Sequence, residues 1–214
     1  MTITHHPEPE SLMSCSAGSM PEAFAAVMAS HIEMCPCCRK DLALLEQVGT
    51  ALFDQLSPTP VVRPAPIVGL RADEAGPDRK DIVTASGDVP AHLVSTLGQH
   101  LDNVQWKRVS PGLWQHQIAL SSANRGELRL IKVGPGQALP VHGHNGSEIT
   151  LVLRGSYRDA TGHYRAGDVA DLSEDVEHAP LADAIEGCIC LIATEGKLKF
   201  RSRVARLFQP LVGI

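Results

Sequence analysis

The apolar period of this chain changes once along its length, and that change restricts the fold more than any other feature. Up to residue 56, apolar side chains recur at three- and four-residue steps. Phe24, Val27, Met28 and His31 share one helical face, and Leu42, Leu45, Leu52 and Leu56 share another, with Val48 and Gly49 between them. From about residue 102 the steps shorten to the runs WKRV, LWQHQIAL, ELRLIKV, EITLVLRG, CICLIAT and KLKFRSR, punctuated by SPG, SSANRG, GPG and DATG. Short strands between Gly, Pro and Asn turns predict an antiparallel sandwich or barrel. The expected fold class is therefore α + β in two domains. A small helical bundle occupies residues 1–57, with an outer limit near 78, and a β domain occupies 91–214. The proline- and glycine-rich stretch at 58–90 reads as a linker with room for one short helix at 67–75. AHLVSTLGQHL reads as a further short helix at the entrance to the β domain.

The composition excludes several classes of function. A net charge of −5 over 214 residues gives no basic surface for nucleic acid. The opening MTITHHPEPE lacks the basic and apolar regions of a secretory signal, and no apolar run approaches the ~18 residues of a membrane span. The expected location is the cytoplasm, where clustered thiols more often bind metal or do redox chemistry than form disulfides. The six cysteines fall in three places: Cys15; Cys35, Cys37 and Cys38; and Cys188 and Cys190.

The stretch HIEMCPCC concentrates that chemistry. Pro36 is well placed only as the first residue of a helix, and it pushes Cys35 out of the α region. One helix should thus end near Met34 and the next begin at Pro36. The preceding helix should start within SAGSMPEAF, after a turn, with Ser19 as its cap and Pro21 in its first turn. His31 then lies in a last turn, Cys35 at the corner and Cys38 in a first turn, where the helix dipole favours a thiolate. One imidazole and two thiolates meeting at a corner supply three ligands of a tetrahedral zinc site, and His5 or His6 can supply the fourth. Cys37 projects about 100° from Cys38 and is either a substitute ligand or an unbound thiol. A structural zinc contributes an apparent ~10–16 kcal/mol in finger peptides, which matters in a block too small for burial alone to hold. The arrangement resembles the zinc-binding anti-sigma domain, with its upstream histidine followed by H-x-x-x-C-x-x-C. The resemblance implies His6, His31, Cys35 and Cys38 as zinc ligands, and a domain that binds an extracytoplasmic-function sigma factor.

A second constellation lies in GQALPVHGHNGSEITLVLRG. His142 and His144, two apart on a strand, face the same way, and the turn HNGS lets the next strand bring Glu148 to the same interior spot. The spacing of Gly136, His142, His144, Glu148 and Gly155 resembles the first cupin motif. His178, after Gly167, stands where the second cupin motif places its histidine, although Ser173, Glu174 and Asp175 replace the usual Pro-x-Gly and Ala182 the usual asparagine. The resemblance implies a metal held by His142, His144, Glu148 and His178. Such a set suits zinc, iron, manganese, nickel or copper. Cys188 and Cys190 share one face of a later strand, as interior packing or as thiols close to that metal.

A zinc anti-sigma domain followed by a cupin is the layout of the ChrR-type anti-sigma factors, and the resemblance runs from MTITHH to the closing LFQPLVGI. It implies a non-enzymatic negative regulator of transcription that holds one sigma factor per chain. The cupin would sense singlet oxygen, a related oxidant or its product. The competing reading is a cupin metalloenzyme, a dioxygenase or isomerase, with a helical appendage, since such a site can leave coordination positions open.

Overall fold

A computed structural model of the chain describes residues 2–58, 87–121 and 126–196 in full, and 198–200 as backbone. The short helix expected at 67–75, almost all of the expected linker and the closing LFQPLVGI lie outside the described residues.

Three helices open the fold: α1 (Pro9–Ser16), α2 (Glu22–Met34) and α3 (Pro36–Phe53). The α2–α3 corner falls where Pro36 requires it. Cys35 takes the extended geometry of a pre-proline residue (φ −108°, ψ 104°), and its sulfur accepts the Cys38 N–H at 3.5 Å. The start of α2 differs from expectation. The Ser19 hydroxyl donates back to the Ser14 carbonyl and closes the turn after α1, so Pro21 occupies the N-cap position without a side-chain cap. The stretch AHLVSTLGQHL is broken into a 3-10 turn (Ala91–Leu93), the one-turn α4 (Val94–Leu97) and a second 3-10 turn (Leu101–Asn103). Gly98, at φ +81°, ends α4 in a conformation that other residues rarely adopt.

Among the described residues ten strands follow: β1 (Lys107–Ser110), β2 (Leu113–Ile118), β3 (Glu127–Val133), β4 (His142–His144), β5 (Glu148–Arg158), β6 (His163–Arg165), β7 (Val169–Leu172), β8 (Leu181–Ala182), β9 (Cys188–Thr194) and β10 (Leu198–Phe200). Every pairing between them is antiparallel, as expected. The main sheet runs β1-β2-β3-β9-β5-β6, with β7 and β8 also paired to the long β5, and β4 pairs β10. A bulge between Val152 and Arg154 lets β5 serve both sets of partners.

Side chains alternate across the central strands, yet both faces are buried. Ile131, Val133, Val152, Tyr157, Tyr164, Leu172, Cys188 and Cys190 belong to the interior core. Leu128, Leu130, Ile149, Leu151, Leu153, Ile189, Leu191 and Ala193 form the opposite face, in one cluster with Phe24, Val27 and Met28 of α2. The helical block and the sheet thus share a core. Val27 and Met28 are wholly excluded from solvent there. Burying these two and Phe24 contributes on the order of 5–9 kcal/mol at the usual value per side chain. Glu33 strengthens the joint by accepting the Ala91 N–H, and Glu22 does so by accepting the Ser121 N–H.

Candidate metal centres

The corner at Cys35 sets the first centre. His6, His31, Cys35 and Cys38 bring one ligand atom each to within 4.8 Å of one another. His6 Nδ1 lies 3.5 Å from Cys35 Sγ and 3.3 Å from Cys38 Sγ. The corresponding edge of a zinc tetrahedron with ordinary Zn–S and Zn–N bonds is about 3.5 Å. Position separates the candidates that spacing left open. His6 reaches the cluster, while His5 turns away to lie against Tyr164, tilted, at 4.5 Å between ring centres. Cys38 points inward; Cys37 is exposed and contacts Asp41.

The electrostatics of this corner favour a bound cation. Burial keeps His31 neutral down to about pH 4, so its imidazole is free to coordinate. Its Nδ1 bonds the Gly167 carbonyl at 2.9 Å, and its buried Nε2 has no hydrogen-bond partner. Burial and the neighbouring Cys35 push the Cys38 thiol up to about 12. Without metal, desolvation of Cys38, a residue only 3% exposed, opposes the pull of the helix dipole and keeps the proton on sulfur. A buried thiol pair with an unpartnered imidazole nitrogen fits a divalent metal, which would supply the charge that ionises the sulfurs.

The second centre forms where β4, β5 and the 178 bridge meet inside the sheet. His142, His144 and His178 bring their nitrogens to within 4.8 Å of one another, and all three are buried. The ladder places them: His142 bridges His178 across the strands, and the two exchange backbone hydrogen bonds of 3.0 and 2.9 Å. His144 Nε2 and His178 Nε2 approach to 3.2 Å. Glu148 stands just outside this convergence, 3.1 Å from His144 Nδ1 and 3.9 Å from His178 Nε2. Burial lowers His142 to about 4 and His144 to about 3, and raises Glu148 to about 7. Three converging imidazoles beside a buried carboxyl fit a divalent transition metal.

The residues that orient these groups carried no motif. His178 Nδ1 bonds the Asp159 carboxylate at 2.9 Å, the usual second partner of a metal-binding imidazole. Burial would raise Asp159, but hydrogen bonds from His178 and Thr161 outweigh it and hold the carboxyl near 2. The His142 Nδ1 bonds the Pro140 carbonyl at 2.8 Å, and Thr150 donates to Glu148. Asp159 lies in DATG, which reads only as a turn. Cys188 and Cys190 are unpaired and buried in the interior core.

Residues 95–197 match the family model described as the ChrR cupin-like domain. Over 216 aligned residues the chain is 34% identical to the anti-sigma-E factor ChrR of Cereibacter sphaeroides, with 100% of both chains covered. The crystal structure of Rhodobacter sphaeroides SigE in complex with the anti-sigma ChrR aligns with a TM-score of 0.75 and 34% identity, covering 90% of this chain and 99% of that one. An RmlC-like cupin protein from Ralstonia eutropha aligns at 21% identity and a TM-score of 0.42, covering 49% of this chain and 71% of that one.

Proposed function

Because the chain belongs to the ChrR family of anti-sigma factors, we propose that it sequesters one extracytoplasmic-function sigma factor per chain and releases it on an oxidative, singlet-oxygen-type signal. The helical block is the gripping part and the cupin the sensing part. The relative in the aligned crystal structure is held in complex with a sigma factor, SigE, which supports the partner class.

The observation that carries the reading is an apolar ridge along α3 and the turn after it, exposed among the described residues. Cys38 is the one buried residue of that helix. Leu44, Val48, Leu52 and Leu56, spaced four apart, are 60%, 51%, 60% and 67% exposed, and Phe53 is 73% exposed. A contiguous stripe of this kind marks a surface that another protein covers. A zinc ion at His6, His31, Cys35 and Cys38 would fix the angle between α2 and α3, and so the direction in which the ridge points. At the cupin, a metal (zinc, iron, manganese or nickel) held by His142, His144 and His178, with Glu148 beside them, would give an oxidant or its product a place to act. Such a signal shifts the complex only through its different affinity for the free and sigma-bound forms.

The test is co-purification of the full chain with candidate sigma factors. Leu52→Glu and Phe53→Glu should abolish a one-to-one complex while the melting temperature of the free chain stays within 2 °C or so, since surface substitutions cost about half a kcal/mol. Retained binding in both variants refutes the docking role of α3.

A further inference from the structure

The helical metal centre is not finished by its own domain. Its outer partners come from the turn between β6 and β7, residues 165–168, more than 130 positions away in sequence. Gly167 presents its carbonyl to His31 Nδ1 at 2.9 Å. Next to it, Asp168 is 1% exposed, and its Oδ1 accepts two backbone N–H bonds from the arm that carries His6: Thr4 at 2.7 Å and His5 at 3.0 Å. The other oxygen, Oδ2, accepts the Arg165 N–H at 2.8 Å, which fixes the carboxylate within its own turn. The arm is held from the far side too, since the Val169 N–H donates to the His5 carbonyl at 3.2 Å and the Glu8 N–H to Asp171 at 3.1 Å. Ile3 covers Gly167, at φ +92°, so closely that a Cβ there would lie 2.7 Å from it. Residues 3–8 therefore lie along β7 as a strap, and the strap sets where His6 hangs over the two sulfurs.

We propose that Asp168 is a positioning residue for the helical metal centre, and that Asp168 and the Gly167 carbonyl together form its outer shell. This rests on the reading of His6, His31, Cys35 and Cys38 as ligands. The roles are separate. The Gly167 carbonyl accepts a hydrogen bond from the Nδ1–H of His31 and leaves Nε2 as the coordinating nitrogen. Asp168 holds the two successive backbone N–H groups just before His6, an otherwise exposed residue with no helix of its own to place it. The same turn is tied to the second centre. Val152 and the turn exchange backbone bonds of 2.8 and 3.1 Å, and β7 continues until Leu172 pairs with Glu148. A displacement of β5 at Glu148 thus has a hydrogen-bonded path to the strap.

Cobalt(II) titration of the reduced, metal-stripped full-length chain tests this. Only a site with thiolate ligands gives the near-ultraviolet sulfur-to-cobalt charge-transfer band, so the band reports the helical centre while the cupin stays silent. Asp168→Ala should weaken cobalt binding at the thiolate site about 10- to 100-fold, the usual loss for an outer-shell partner. Asp168→Asn, which keeps an oxygen for Thr4 and His5, should lose less. Thr4→Pro, which deletes the 2.7 Å donor from the arm and leaves the sheet untouched, should weaken binding in the same direction and covers the case in which Asp168→Ala fails to fold. Binding within twofold of wild type in Thr4→Pro and in the folded Asp168 variants overturns the inference and leaves the ligand reading intact. Absence of the band in the wild-type chain overturns both.

Discussion

Replacing Met28 by alanine asks whether the helices and the sheet are one cooperative body. Met28, on α2, is fully buried in one core cluster with Leu128, Leu151 and Leu191 of the sheet. Truncation removes three heavy atoms, worth about 2 kcal/mol of transfer free energy at ~0.8 kcal/mol per methylene-sized group. A cavity term adds to this when the surroundings cannot collapse. Here α2 is held at both ends, by Glu22 on Ser121 and by the Cys35 corner, with Glu33 on Ala91 near its last turn. Collapse is therefore restricted, and the expected cost lies in the upper middle of the observed range, about 3–4 kcal/mol. For a chain of this length that lowers the melting temperature by roughly 6–15 °C.

The assay is calorimetry of the full chain at fixed excess zinc, since bound metal shifts apparent stability by mass action. Leu191→Ala, a fully buried change made from the sheet side of the same contact, serves as the partner measurement. Both variants should move a single transition by similar amounts. Two resolved transitions, with Met28→Ala lowering one and Leu191→Ala the other, would refute the shared core. The helices would then be an independent domain resting on the sheet.

Two further outcomes follow from the centres. Asp159→Asn should lower metal affinity at the cupin about 10- to 100-fold, through loss of the 2.9 Å partner of His178, and should leave the thiolate-to-cobalt band unchanged; competition with a chromogenic chelator measures the first, absorbance the second. In the metal-stripped chain, His31 and His142 at about 4 and His144 at about 3 lie below the ordinary 6.5, so their stabilisation is complete above pH 6.5 and is lost as pH falls toward 4. Glu148, raised to about 7, opposes this by binding its proton in the folded state, but one carboxyl against three imidazoles leaves a net loss on acidification. A melting temperature that stays flat between pH 7 and 4.5 would contradict that sign.

Local chemistry was legible wherever the partner lay within a few residues. The pre-proline geometry of Cys35, the start of α3 at Pro36, the shared direction of His142 and His144, and the inward face of α2 each depend on a rule that acts over one turn or two strand positions. The proton that Cys38 keeps in the metal-free chain has the converse origin: the helix dipole can be read from PCC, whereas the burial that opposes it is set by the fold. The contact between helices and sheet did leave a trace. EITLVL and CICLIAT carry few polar residues at the alternate positions that a solvent-facing strand would display, and a strand apolar on both sides must be covered on both sides.

Asp159 and Asp168 left no such trace, although each orients groups at a centre. A ligand set declares itself through spacing because several donors must reach one point from a few adjacent turns. An outer partner needs only one oxygen at one place, and the fold can bring it from any distance. Asp168 reaches Thr4 across 164 positions and Gly167 reaches His31 across 136. The residues that tune these centres are therefore those that local pattern leaves anonymous. Both outer shells are built on turns next to β6, a strand paired to the β5 that begins at Glu148, so continuous backbone pairing joins the supports of one centre to those of the other.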